Sequence, residues 1–203
     1  MKSLFFSTRR GLLACAAACA MLVVSACGGT APAPTAGPAA AGASATATFN
    51  AADVAFAQQM IPHHESAIAM AKMATGHVGD PRVAALAGRI QAAQQPEIDT
   101  MNRWLTAWKM PVPSPSGDAM EGMEHGEMAG VDELDMTALM NAKGTPWDKE
   151  FLAVMVKHHQ GALIMAQQEI AAGVNPDAKA LAQRIVTDQQ AQITEMKQIR
   201  AGL

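Results

Sequence analysis

Two histidine doublets, His63-His64 and His158-His159, stand ninety-five positions apart, and each follows a methionine by about one helical turn, Met60 in the first case and Met155 in the second. Imidazole and thioether together form a ligand set that favours soft Cu(I), whereas magnesium and calcium ask for oxygen and structural zinc asks for thiolate. Each residue also has a plainer reading. A lone histidine on a packing face is more often a satisfied core residue than a ligand, and methionine fills irregular gaps well. Four imidazoles on packing faces are harder to explain as packing alone, because each unsatisfied buried polar group costs about 1–3 kcal/mol. Ligation of a cation would offset that cost.

The doublets recur because the chain is a duplication. Sliding one half on the other without a gap aligns Phe56 with Phe151, Pro81 with Pro176, Leu86 with Leu181, Arg89 with Arg184, Ile98 with Ile193 and Met101 with Met196. A repeat of this length decides the architecture. The wealth of Ala, Met, Leu, Ile and Gln, with only 4% aromatic residues, favours helix over sheet.

The elements that must position the doublets follow from caps and periodicity. Asn50 reads as an N-cap with Asp53 at N3 and Phe49 and Val54 as a hydrophobic staple, opening a helix that runs to about Gly76. On its wheel Phe56, Met60, His63, Ala67, Met70 and Ala74 share a stripe, with His64 and Ala71 beside it. Asp80-Pro81 opens a second helix whose inner face carries Val83, Leu86, Ile90, Gln94, Glu97, Ile98, Met101, Leu105 and Trp108. Pro96 is expected to bend it beside Glu97. A short helix over 131–142 should turn Leu134, Leu139 and Met140 inward. Thr145 is expected to cap the third long helix, which ends near Gly173. Asn175-Pro176 then opens the fourth, with Leu181, Ile185, Gln189, Gln192, Ile193 and Met196 inside, to about Ala201.

Two helical hairpins, residues 50–109 and 145–203, each carry an apolar stripe that neither can hide alone. Packed together they give an all-α four-helix bundle with a pseudo-twofold axis, crossed by a Met-rich connection and the short extra helix. Such a bundle sets Met101 and Met196 at the depth of the doublets, with Glu97 one turn from Met101 and with Met70 and Met165 as further support for a metal. Met120, Met123, His125 and Met128 repeat the ligand types in the glycine-rich connection, where no core needs filling. They read as a segment that captures copper.

The ends carry an address. Lys2, Arg9 and Arg10 precede an apolar run over 11–26, and Val24-Ser25-Ala26-Cys27 closes it like a lipobox, so residues 1–27 are expected to be a lipoprotein signal peptide lipidated at Cys27. Thr8-Arg9-Arg10-Gly11-Leu12-Leu13 also resembles a twin-arginine export signal. Residues 28–48, mostly Ala, Pro, Gly, Thr and Ser, read as a flexible tether, and 49–203 as the folded part. All 3 cysteines lie in the leader, leaving the domain no thiol for a disulfide, zinc knuckle or nucleophile. Without the leader's cations, 12 basic residues face 18 acidic ones, which excludes a nucleic-acid partner. No serine nucleophile with a base and no phosphate loop is present, and a di-iron site needs several inward carboxylates, where only Glu97 is placed inside. The protein is therefore expected not to be an enzyme.

The doubled signature, Met60-Ile61-Pro62-His63-His64 with Ala67-Ile68-x-Met70-Ala71 and Met155-x-x-His158-His159-Gln160-Gly161-Ala162, resembles the domain of unknown function 305 family over about residues 49–200. That resemblance implies a ferritin-like bundle, exported or membrane-anchored in bacteria, with copper binding and tolerance among some members. It carries Met60, His63, His64, Met155, His158 and His159 over as ligands and Met101 and Met196 as supporters. Gln192 in place of an acid matching Glu97, and Pro96 beside Glu97, depart from equivalence of the halves. The expected function is that of an extracytoplasmic, lipid-anchored protein binding Cu(I) for sequestration or homeostasis. The alternative is a non-catalytic interaction module whose histidine face packs or binds a partner protein.

Overall fold

A computed structural model describes residues 48–114 and 133–203. The leader with Cys27, most of the tether, and Met120, Met123, His125 and Met128 lie outside the described residues. Five helices make up the rest: α1 (Ala51–Lys72), α2 (Pro81–Trp108), α3 (Glu133–Asn141), α4 (Thr145–Ala172) and α5 (Pro176–Ala201). No strand occurs among the described residues, and none of their helices is long and apolar enough to cross a membrane. α1 pairs with α2 and α4 with α5 as antiparallel hairpins. The hairpins meet chiefly along α1 and α4, while α2 and α5 barely touch.

Three of the four long helices begin as the sequence predicts. Asn50 Oδ1 accepts from the backbone of Ala52 and Asp53, and Asp53 Oδ2 accepts from Asn50 N at 2.6 Å, closing a capping box. Asp80 and Asn175 cap α2 and α5, each ahead of a proline in the first turn. The fourth start is a correction. Thr145 is the first residue inside α4; its N-cap is Gly144, at φ 63°, with no side-chain cap bond. Glycine tolerates that left-handed geometry, and Gly144 N donates to His77 O at 2.7 Å, so this start is fixed by the first hairpin rather than by its own hydroxyl. A second correction concerns α3. Leu139 is fully buried and Met136 packs beside it, whereas Met140 points outward at 55% exposure. Leu139 and Met136 are three apart and share a face, on which Met140 does not lie. Both α1 and α2 run on through their interior prolines, Pro62 and Pro96.

Each hairpin turn is held by the other hairpin. Asp53, in the first turn of α1, accepts from Asn175 N at 2.9 Å and from Val174 N. Asp148, ninety-five residues on, accepts from Gly79 N at 3.0 Å and Asp80 N at 2.9 Å. Both aspartates are fully buried. A carboxylate accepting from two backbone amides satisfies donors that a tight turn would otherwise leave orphaned, at roughly 1.5–3 kcal/mol per charge-assisted bond.

The core falls into two apolar clusters. One joins the C-terminal half of α1, the start of α2, the start of α4 and the end of α5, around Met70, Leu86, Ile90, Trp147, Phe151, Met155 and Met196. The other joins the remaining halves, around Phe56, Met60, Ile98, Met101, Leu105 and Leu181. The imidazoles, the glutamine amides and Glu97 of the inner stripes fall between the two: His63 and His64 on α1, Gln94 and Glu97 on α2, His158 and His159 on α4, Gln189 and Gln192 on α5.

Candidate metal centre

The stripe that buries Met60 and Met70 necessarily buries what lies between them, so helix periodicity delivers the doublets to the middle of the bundle. His64, His158 and His159 are fully enclosed and His63 is 8% exposed. Across the pseudo-twofold axis the rings of His63 and His158 lie 3.7 Å apart between centroids, tilted by 38°. The other two turn away toward their own hairpins. His64 Nε2 donates to Glu97 Oε2 at 2.7 Å, and His159 Nε2 donates to Gln192 Oε1 at the same 2.7 Å. A neutral ring whose Nε2 is protonated keeps a lone pair on Nδ1, the arrangement that metal-ligating histidines use when a second partner fixes the tautomer.

Ten buried polar atoms of this belt have no partner: both ring nitrogens of His63 and His158, Nδ1 of His64 and His159, and both amide atoms of Gln94 and Gln189. At about 1–3 kcal/mol each, leaving them all empty-handed is a heavy load on a domain whose whole stability is about 5–15 kcal/mol. Burial, reinforced by neighbouring imidazoles, pushes His63 down to about 3 and holds His158 well below the usual histidine range. Burial also brings His159 down to about 4, against the opposing effect of its bond to Gln192. His63, His158 and His159 are therefore neutral at pH 7, the form that ligates.

Sulfur stands on both sides. Antiparallel pairing of His64 with Glu97 brings Met60, four residues before the one, level with Met101, four residues after the other; Met155 and Met196 repeat the relation about His159 and Gln192. All four are fully buried, Met60 and Met101 in one apolar cluster, Met155 and Met196 in the other. Met70 is buried too, while Met165 is only half-buried. The donor set suits a soft cation, and the orphaned ring nitrogens give it somewhere to bind. The four histidines do not, however, form one cage: among the described residues no three His, Cys, Asp or Glu groups converge closely enough to hold an ion. What the fold assembles is a touching His63/His158 pair and two outlying His64 and His159 arms.

Three buried acids escaped the sequence reading, which placed only Glu97 inside. Asp53 and Asp148 were visible as partners in the ninety-five-residue alignment. Glu169 lies on the buried line that runs through Met155, His158, Ala162 and Ala166, and it ends against Asp53 at 1% exposure. Neither of its oxygens meets full hydrogen-bond geometry, although the Asp53 carboxyl is beside it. Burial first, and then the adjoining Asp53, push Glu169 up to about 8.

Fold and belt together define a duplicated helical bundle with imidazole and thioether groups buried at its middle. The chain belongs to the DUF305 family, whose sequence profile, described as a domain of unknown function, matches residues 53–200. Among solved structures, CopM in its Cu(II)-bound form is 36% identical, covering 74% of this chain and 96% of CopM with a TM-score of 0.63. CopM in its Cu(I)-bound form is 32% identical over 74% and 96%, with a TM-score of 0.60. A secreted DUF305 protein from Streptomyces coelicolor is 27% identical over 74% of this chain and 91% of that one, at a TM-score of 0.64. No curated protein sequence matches significantly.

Proposed function

We propose that this is an extracytoplasmic, lipid-anchored copper-binding protein that holds Cu(I) through histidine and methionine and serves copper sequestration or homeostasis without catalysis. One observation carries the reading: four buried imidazoles have six partnerless ring nitrogens between two pairs of buried thioethers. The copper- and silver-bound states of CopM support the choice of metal, and the description of the Streptomyces coelicolor protein as secreted supports the address, together with the lipobox ending at Cys27. The proposed ligands are His63, His64, His158 and His159 with Met60, Met101, Met155 and Met196. Titration of the purified protein with Cu(I) and Ag(I) should give tight binding that falls at least about a hundredfold when His63 and His158 are both replaced by alanine. Unchanged affinity ends the reading.

The dispersal of the histidines favours a second reading, a non-catalytic helical module whose belt only packs or meets a partner protein. The two separate on melting. A bound ion raises Tm with its concentration, whereas a packing belt leaves Tm indifferent to copper.

A further inference from the structure

The two outlying histidines are held by groups of the same reach and different charge. Glu97 and Gln192 occupy equivalent positions of the repeat, each accepts from the Nε2 of its histidine at 2.7 Å, and each is half-buried. Their geometry is matched, so what distinguishes the halves at this point is one carboxylate against one neutral amide. Behind a ligating imidazole, a carboxylate raises the basicity of the free nitrogen and adds a negative charge near the cation. The Coulomb part of that contribution scales with the charge of the ion, so a divalent ion gains about twice what a monovalent ion gains from the same carboxylate.

We propose that Glu97, acting through His64 as a positioning residue, biases the first half of the belt toward divalent cations, while Gln192 leaves the His159 half suited to soft monovalent ones. The inference rests on the belt being a metal site. It makes the protein a pair of unequal half-sites rather than one site copied twice, and it assigns oxidation-state preference to a single position in each half.

The test compares Cu(II) with Ag(I), two ions that stay in their oxidation states in air, by titration of wild type, Glu97→Gln, Gln192→Glu and the double exchange. Glu97→Gln keeps the bond and removes the charge, so it should weaken Cu(II) by about tenfold, the lower end of what outer-partner changes cost ligated metals, and Ag(I) by about threefold, since halving the charge of the ion halves the Coulomb part of the logarithm. Gln192→Glu should move the Cu(II)/Ag(I) ratio the other way, and the double exchange should bring it back near wild type. Circular dichroism and Tm accompany each protein. Should Glu97→Gln fail to fold, Gln192→Glu decides alone, since a structural disturbance has no reason to tighten Cu(II). Equal loss of both ions in Glu97→Gln, or no gain of Cu(II) in Gln192→Glu, overturns the inference and leaves the metal reading standing. Binding of both ions that ignores alanine replacement of all four histidines overturns the metal reading and this inference with it.

Discussion

At one end of the bundle Asp148 closes the turn between α1 and α2; at the other end Asp53 closes the turn between α4 and α5. The amides they receive are equivalent in the repeat, and so are the aspartates. Their company differs. Asp53 shares its buried site with Glu169, whereas the position equivalent to Glu169 in the first hairpin is Ala74. The hairpins have kept the bonds that join them and changed the groups beside those bonds, so the same clamp works under electrostatic load at one end and without it at the other. Burial raises Asp53, but the amides of Asn50, Asn175 and Val174 together with Glu169 outweigh it and hold its carboxyl below the ordinary range.

The largest effects should come from breaking the clamps. Asp148→Ala leaves the amides of Gly79 and Asp80 without acceptors and should cost about 3 kcal/mol in urea unfolding. Asp53→Ala loses the equivalent bonds and also the capping-box bond from Asn50 N, but it relieves Glu169, so it should cost about as much as Asp148→Ala; a cost at least about 1 kcal/mol higher would show that the two ends are not differently loaded. The next effect is one of pH. Glu169 carries a proton in the folded protein up to about pH 8 that the unfolded chain releases from about 4.5, so folding binds a proton between those values. Stability contributed by the protonated form is complete below pH 4.5, declines as pH rises through the window, by at most about 1.4 kcal/mol per unit, and levels off above 8. Glu169→Gln should flatten that decline and be the more stable protein at pH 8; an unchanged slope would place the proton elsewhere. The smallest effect contrasts the helix starts. Asn50→Ala should cost about 1 kcal/mol, while Thr145→Ala should stay within about 0.5 kcal/mol because its hydroxyl caps nothing.

These contrasts mark how far the sequence could be read. The helix boundaries other than the end of α1, which stops at Lys72 rather than near Gly76, three of four caps and the inner stripes followed from periodicity and from the duplication, because caps and stripes are local or nearly so. Thr145 misled because its repeat partner Asn50 is a cap, while α4 begins one residue earlier on a glycine set by His77 from the other hairpin. Met140 misled because nine residues give too short a stripe to choose a face. The belt was legible as a set of inward residues but not in its pairing. Periodicity says that a ring is inside; which ring touches His158 and which turns to Glu97 depends on how two hairpins dock. Glu169 fell on a buried line, yet a glutamate reads as solvated until a partner carboxyl is seen beside it.

The exchanged aspartates bear on how such a chain could arise. A solitary hairpin of this design lacks the acceptor for its own turn, and another copy of itself would provide it, so the arrangement is complete in a twofold pair of identical units. Identical units are bound to carry the same residue at both related places. Joining them in one polypeptide lifts that restriction, and the separate fates of positions 97 and 192, and of 74 and 169, are differences that a pair of identical units could not hold.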